Sequence, residues 1–137
     1  MVRDGPRSCY VIDSHALHWY LLDPTRLGPG AQAALRLAEV GEAELLVPAI
    51  VLAELVRVWE KAGRAFPVDT VMQTITASRS IHLIDLGLAQ LTEFERIGPS
   101  LDMHDRLILA DAILARATLI TRDRKLQAAA GRVPTIW

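Results

Sequence analysis

The sequence predicts an α/β fold of the doubly wound kind: a central, mostly parallel β-sheet of four to five strands with helices on both faces. Three observations lead there. Short runs rich in Val, Ile and Leu alternate with longer stretches of helical periodicity along the whole chain. Helical segments separate the strand-like runs, and strands joined through helices pair in parallel by right-handed crossovers. Finally, 137 residues with 51% hydrophobic content are enough for one packed core, and no repeat, linker or low-complexity stretch divides them, so a single domain over 1–137 is expected.

The elements follow in order. Residues 8–13 form a first strand, since Tyr10, Val11 and Ile12 favour an extended, buried backbone. "SHALHWYLL" continues as a helix, broken by the turn chemistry of "DPTRLGPG". "AQAALRLAEV" is an Ala-rich helix that stops at Gly41, "AELLVP" a second strand, and "AIVLAELVRVWEKAG" a helix closed by Gly63. Pro67 opens the helix "VDTVMQTITA". A third strand, "SIHLIDL", precedes the helix "GLAQLTEFERIG"; Gly98 and Pro99 loop into the helix "HDRLILADAILARA". A fourth strand, "TLIT", a short helix, "DRKLQAAAG", and a last strand, "VPTIW", finish the chain.

Composition narrows the function less than the fold. No run of eighteen apolar residues exists, and "MVRDGPRSC" lacks the apolar stretch of a leader, so a cytoplasmic protein with no membrane association is expected. The single Cys9 has no cysteine partner for a disulfide or a zinc cluster and is expected as a small buried hydrophobe. A net charge of −1 argues against nucleic acid at first sight, but four acids committed to a metal site leave a balance of +3 elsewhere.

Doubly wound sheets bind ligands beyond the carboxyl ends of their strands, which directs attention to acids in those places. Asp13 ends the first strand, Asp123 lies two residues past the fourth, Asp105 opens the helix leading into the fourth, and Glu54 stands in the otherwise apolar stretch 49–55. Each acid has a plainer role open to it. Asp13 and Asp123 can cap the helices that follow them, and Asp105 lies three residues after Asp102, as in a capping box. Glu54 can pair with Arg57 on an exposed helix face. Gathered on one sheet edge, however, four carboxylates repel one another unless a cation offsets them. Without cysteines or paired histidines the donors are hard oxygens, which suit Mg²⁺ or Mn²⁺. Such ions activate water and stabilise the leaving oxygen in phosphodiester hydrolysis.

The segments "VIDSHALHWYLLDPTRLGPGAQAAL", "VLAELV" and "HDRLILADAILARATLITRDRKL", with "VPTIW" at the end, resemble the PIN-domain ribonucleases, in particular the VapC-type toxins of bacterial toxin-antitoxin pairs. The resemblance implies a PIN-like domain over the whole chain and a metal site of Asp13, Glu54, Asp105 and Asp123. The spacing of eighteen from Asp105 to Asp123 fits that pattern, whereas the twelve from Asp111 does not. It further implies an endoribonuclease using Mg²⁺ or Mn²⁺, RNA as substrate, a VapB-type antitoxin as a separate partner chain, and a homodimer. Two alternatives within the fold are a housekeeping RNA-processing nuclease and a catalytically dead scaffold; a phospho-receiver would need adjacent acids before the end of the first strand and a lysine at a late strand end, and "YVID" and "TLITRD" offer neither.

Around these acids, Ser14 and Thr121 are candidates to orient carboxylates by hydrogen bonds. Val51 stands where the family often has Ser or Thr, so any hydrogen bond from that position is lost. Asp111, six residues past Asp105, falls about 240° round the helix and outside the main set. Arg106, Arg122, Arg124 and Lys125 flank the late carboxylates and are candidates to bind RNA phosphates. His15 and His18 are expected at the rim, and Trp19, Trp59 and Trp137 in the core or an interface rather than as platforms for bases.

Overall fold

The computed structural model describes residues 7–137; residues 1–6, on which much of the expectation about a leader rests, lie outside them. Five strands form one sheet: β1 (Ser8–Ile12), β2 (Ala43–Pro48), β3 (Ile81–Ile84), β4 (Thr118–Ile120) and β5 (Thr135–Ile136). All pairings are parallel and the order is β3-β2-β1-β4-β5. Successive residues Val11 and Ile12 are both fully buried, as a strand covered on its two faces requires. Seven α-helices connect the strands: α1 (Ser14–Leu22), α2 (Pro29–Glu39), α3 (Ala49–Lys61), α4 (Val68–Ala77), α5 (Leu88–Ile97), α6 (Met103–Ala115) and α7 (Arg124–Ala129). None of the described helices is long and apolar enough to cross a membrane.

The chain steps from β1 to β3 in one direction and returns past β1 to β4 and β5, so right-handed crossovers place the two helical groups on opposite faces. The reversal falls between β1 and β4. Their carboxyl ends therefore splay two loops apart at one point, and the site residues issue from there.

Boundaries differ from the sequence reading where local chemistry extends or trims an element. The "DPTRLGPG" segment is partly helical: Pro24–Arg26 form a 3₁₀ turn, and α2 starts at Pro29 rather than Ala31 because proline suits the first helical position. The glycines around that start have a packing reason. A Cβ on Gly28 would lie 2.5 Å from the Trp137 carbonyl carbon, and one on Gly30 2.5 Å from the Ile136 side chain. The C-terminal strand thus seats directly on the α2 backbone, with the Gly30 amide donating to the Trp137 carbonyl at 3.1 Å. Cys9 corrects an expectation. It is half-buried rather than buried, near the edge where Glu44 and burial together push its thiol pKa up.

Candidate active site

Asp13 leaves the end of β1 as the N-cap of α1. Its carboxylate is buried, and one oxygen accepts from the Ala16 amide at 2.9 Å while the other accepts from the Thr121 hydroxyl. Thr121, fully buried just past β4, also accepts from the Asp123 amide at 3.0 Å. Asp123 caps α7, with one oxygen accepting from the Leu126 amide at 3.0 Å. Capping and metal binding are thus compatible: a carboxylate has two oxygens, and for Asp123 the cap uses only one. Asp102 caps α6 by accepting from the Asp105 amide at 2.9 Å, which leaves the Asp105 side chain free of the capping role.

Glu54 lies one turn into α3, half-buried, and accepts from the Ser14 hydroxyl at 3.2 Å. Among the described residues Arg57 forms no ion pair with it. Ser14 therefore supplies a hydrogen bond to the glutamate although Val51, fully buried, supplies none. Nothing in sequence spacing joins Ser14 to Glu54, because forty residues separate them.

Electrostatics bring Asp105 and Asp13 under the influence of the other acids. Burial first, then Asp102, Asp123, Glu54 and Asp13, push the Asp105 carboxyl up to about 6. Asp13 is raised mainly by burial, with Thr121, Ala16 and His15 opposing and Asp123 adding to the rise. Asp13 and Asp105 thus both resist ionisation, Asp105 in part because the other acids stand near it. They do not close on a point: among the described residues, no three Asp, Glu, His or Cys side chains form a group tight enough to hold an ion. The donor set, carboxylate oxygens only, fits a hard ion.

The opening is lined by Asp13, His15, Arg122 and Asp123. His15, expected at the rim, is exposed there, directly after the Asp13-Ser14 pair. Arg122, Arg124 and Lys125 are exposed beside Asp123. Arg106 is turned elsewhere: its Nε and Nη2 donate to the Phe94 carbonyl at 3.1 and 2.7 Å, and its guanidinium stacks on the Phe94 ring. It ties α6 to α5 rather than facing the opening. Asp111 also points toward α5. It is buried, one oxygen has no hydrogen-bond partner, and burial pushes its carboxyl up to about 6 against a hydrogen bond from Gln90.

The PIN domain family model matches residues 10–132. The chain belongs to the PIN-domain family. Within this family, a curated relative, ribonuclease VapC22 of Mycobacterium tuberculosis strain ATCC 25618 / H37Rv, is 32% identical over 133 residues, which cover 93% of this chain and 97% of the relative. Two solved structures share the PIN fold. One is VapBC2 of Rickettsia felis bound to a DNA fragment from its promoter, with a TM-score of 0.68 at 19% identity, covering 94% of this chain and 98% of that one. The other is a toxin-antitoxin complex of Klebsiella pneumoniae, with a TM-score of 0.61 at 22% identity, covering 93% and 96%. All four acids lie within the matched residues.

Replacing Thr121 with Val keeps the side-chain shape and removes the hydroxyl on Asp13. The expected outcome is a loss of metal affinity of about 10- to 100-fold, read by calorimetric titration with Mn²⁺. A variant with unchanged affinity would leave Thr121 only the role of joining β4 to α7.

Proposed function

We propose that this chain is a divalent-metal-dependent endoribonuclease, the toxin of a toxin-antitoxin pair, working in the cytoplasm. The observation that carries this reading is the placement of Asp105 at the switch point of the sheet with Asp123, Glu54 and Asp13 near enough that each pushes its carboxyl up. Asp13, Glu54, Asp105 and Asp123 would hold Mg²⁺ or Mn²⁺. When bound, the metal activates water for attack on the phosphodiester and stabilises the leaving oxygen. The other groups prepare that chemistry. Thr121 and the Ala16 amide fix both oxygens of Asp13, and Ser14 fixes Glu54. The free amides at the start of α6 favour an ionised Asp105 once its neighbours are neutralised. Arg122, Arg124 and Lys125, exposed at the rim, bind the RNA phosphates flanking the cut.

By the same family relationship, the partner chains are a VapB-type antitoxin that covers the acidic opening and a second copy of this chain. Two measurements test the reading. RNA cleavage with and without Mg²⁺ or Mn²⁺ separates a hydrolase from a scaffold that only binds. Titrating Mn²⁺ raises the thermal midpoint, because an ion that binds only the folded state stabilises it: at a hundredfold excess over Kd this amounts to about 2.7 kcal/mol, on the order of 5–10 °C. A flat midpoint at saturating Mn²⁺ would count against the metal site.

A further inference from the structure

Beside the acidic opening stands a feature that the carboxylates do not explain. The α1 and α3 helices follow the parallel strands β1 and β2, so both start at the carboxylate edge and run away from it. Along their shared surface, five side chains form a continuous row. The Arg26 guanidinium lies 4.3 Å from the centre of the Trp19 ring. Trp19 and His18 lie parallel, with centroids 5.5 Å apart and 5° between planes. His18 meets Trp59 at 6.3 Å, and the Arg64 guanidinium lies 4.4 Å from the Trp59 centroid. Behind the row, Trp59 packs edge-on against buried Phe66 at 5.3 Å, which fixes its position on the core.

Structural packing alone accounts for the Trp59–Phe66 contact but not for the two arginines. Both are exposed, and among the described residues neither pairs with an acid. A guanidinium held over a tryptophan ring and paired with no acid keeps N–H donors for a ligand that combines flat rings with anionic oxygens. The middle of the row lies close to the site. His18 is one helical turn beyond Ser14 and Trp59 five residues beyond Glu54, about 6–8 Å along the helix axes. His15 bridges the gap: it lines the opening with Asp13 and is near enough to act electrostatically on His18. Trp19 and Trp59, expected in the core or an interface, are half-buried and packed against the core with part of each ring open to solvent.

We propose that the row Arg26, Trp19, His18, Trp59 and Arg64 is a track for single-stranded RNA, leading the substrate strand to the carboxylates. Bases stack on the ring and guanidinium faces, and backbone phosphates take the arginine N–H donors. Stacking of this kind accepts any base, so the track supplies affinity and direction rather than sequence choice. The inference rests on the ribonuclease reading.

The test uses the full chain in EDTA, where no cleavage intervenes, with unstructured oligouridylate as the probe and tryptophan fluorescence as the readout. Binding quenches the fluorescence. The double variant Arg26→Ala with Arg64→Ala is exposed at both positions and keeps the thermal midpoint. It binds at least about tenfold more weakly, and its dependence of log affinity on log salt is shallower by about 0.7 per arginine removed. Arg96→Ala, on α5 and paired with Glu93, is the control and leaves both quantities unchanged. If the double variant matches the control, the track is wrong even where the wild type cleaves RNA with Mn²⁺. If it binds RNA normally but loses the antitoxin, the row is a protein-docking surface and the inference is likewise overturned. A wild type that neither binds nor cleaves any RNA removes the ribonuclease reading itself, and the track with it.

Discussion

Asp13→Asn and Asp123→Asn each lower RNA cleavage by about two to three orders of magnitude, as expected when several kcal/mol of metal-borne stabilisation is removed, while the folded chain survives. The geometry explains why the two effects separate. An asparagine at 13 still accepts from the Ala16 amide and offers its NH₂ to the Thr121 oxygen; one at 123 still accepts from Leu126. The caps are kept and the charge is gone. For Asp13, whose buried carboxyl already resists ionisation, losing the charge also relieves repulsion, so the thermal midpoint stays level or rises. Cleavage rates and melting curves on the same preparations check this. Variants that unfold yet retain activity per folded molecule would make these acids caps and nothing more.

Asp105→Asn and Asp111→Asn part company. Both carboxyls are pushed up to about 6, but for different reasons: Asp105 by burial and a ring of acids, Asp111 by burial alone. Asp105→Asn weakens Mn²⁺ binding and cleavage together. Asp111→Asn leaves both in place, because its side chain faces Gln90 and not the opening, and it changes stability instead. Unfolded, Asp111 ionises near its ordinary value of 3.8; folded, near 6. Between those values the folded chain binds more protons, so stability falls as pH rises through the window and stays low above it. The asparagine variant lacks that fall and is more stable at neutral pH by roughly 1–3 kcal/mol. Urea midpoints below and above the window, with metal affinity and cleavage measured alongside, decide the matter. A silent Asp105→Asn with an inactive Asp111→Asn would reverse the choice of ligand, and equal losses would mean that the site draws on five acids.

The line between what the sequence tells and what it does not follows the range of the interactions concerned. Local preferences act within a few residues. They were enough to place α1, α4 and β2 at their observed bounds and to mark Asp13, Asp102 and Asp123 as caps. Strands separated by helices implied parallel pairing and a switch point, and so the edge where the acids gather. Contacts between distant segments carry no such periodicity. The Thr121 hydroxyl reaches Asp13 across 108 residues and Ser14 reaches Glu54 across forty, so their candidacy as orienting groups was legible but not which carboxylate each one holds. Arg106, directly after Asp105, looks like a phosphate binder in the sequence; only the position of the Phe94 carbonyl draws it to α5. Asp111 has the spacing of a side chain off the metal face, yet its burial depends on α5 packing over it. The histidine and the tryptophans of α1 and α3 are unremarkable in their separate helices. They become a row with two arginines because parallel strands set those helices side by side, and that placement belongs to the sheet rather than to either segment.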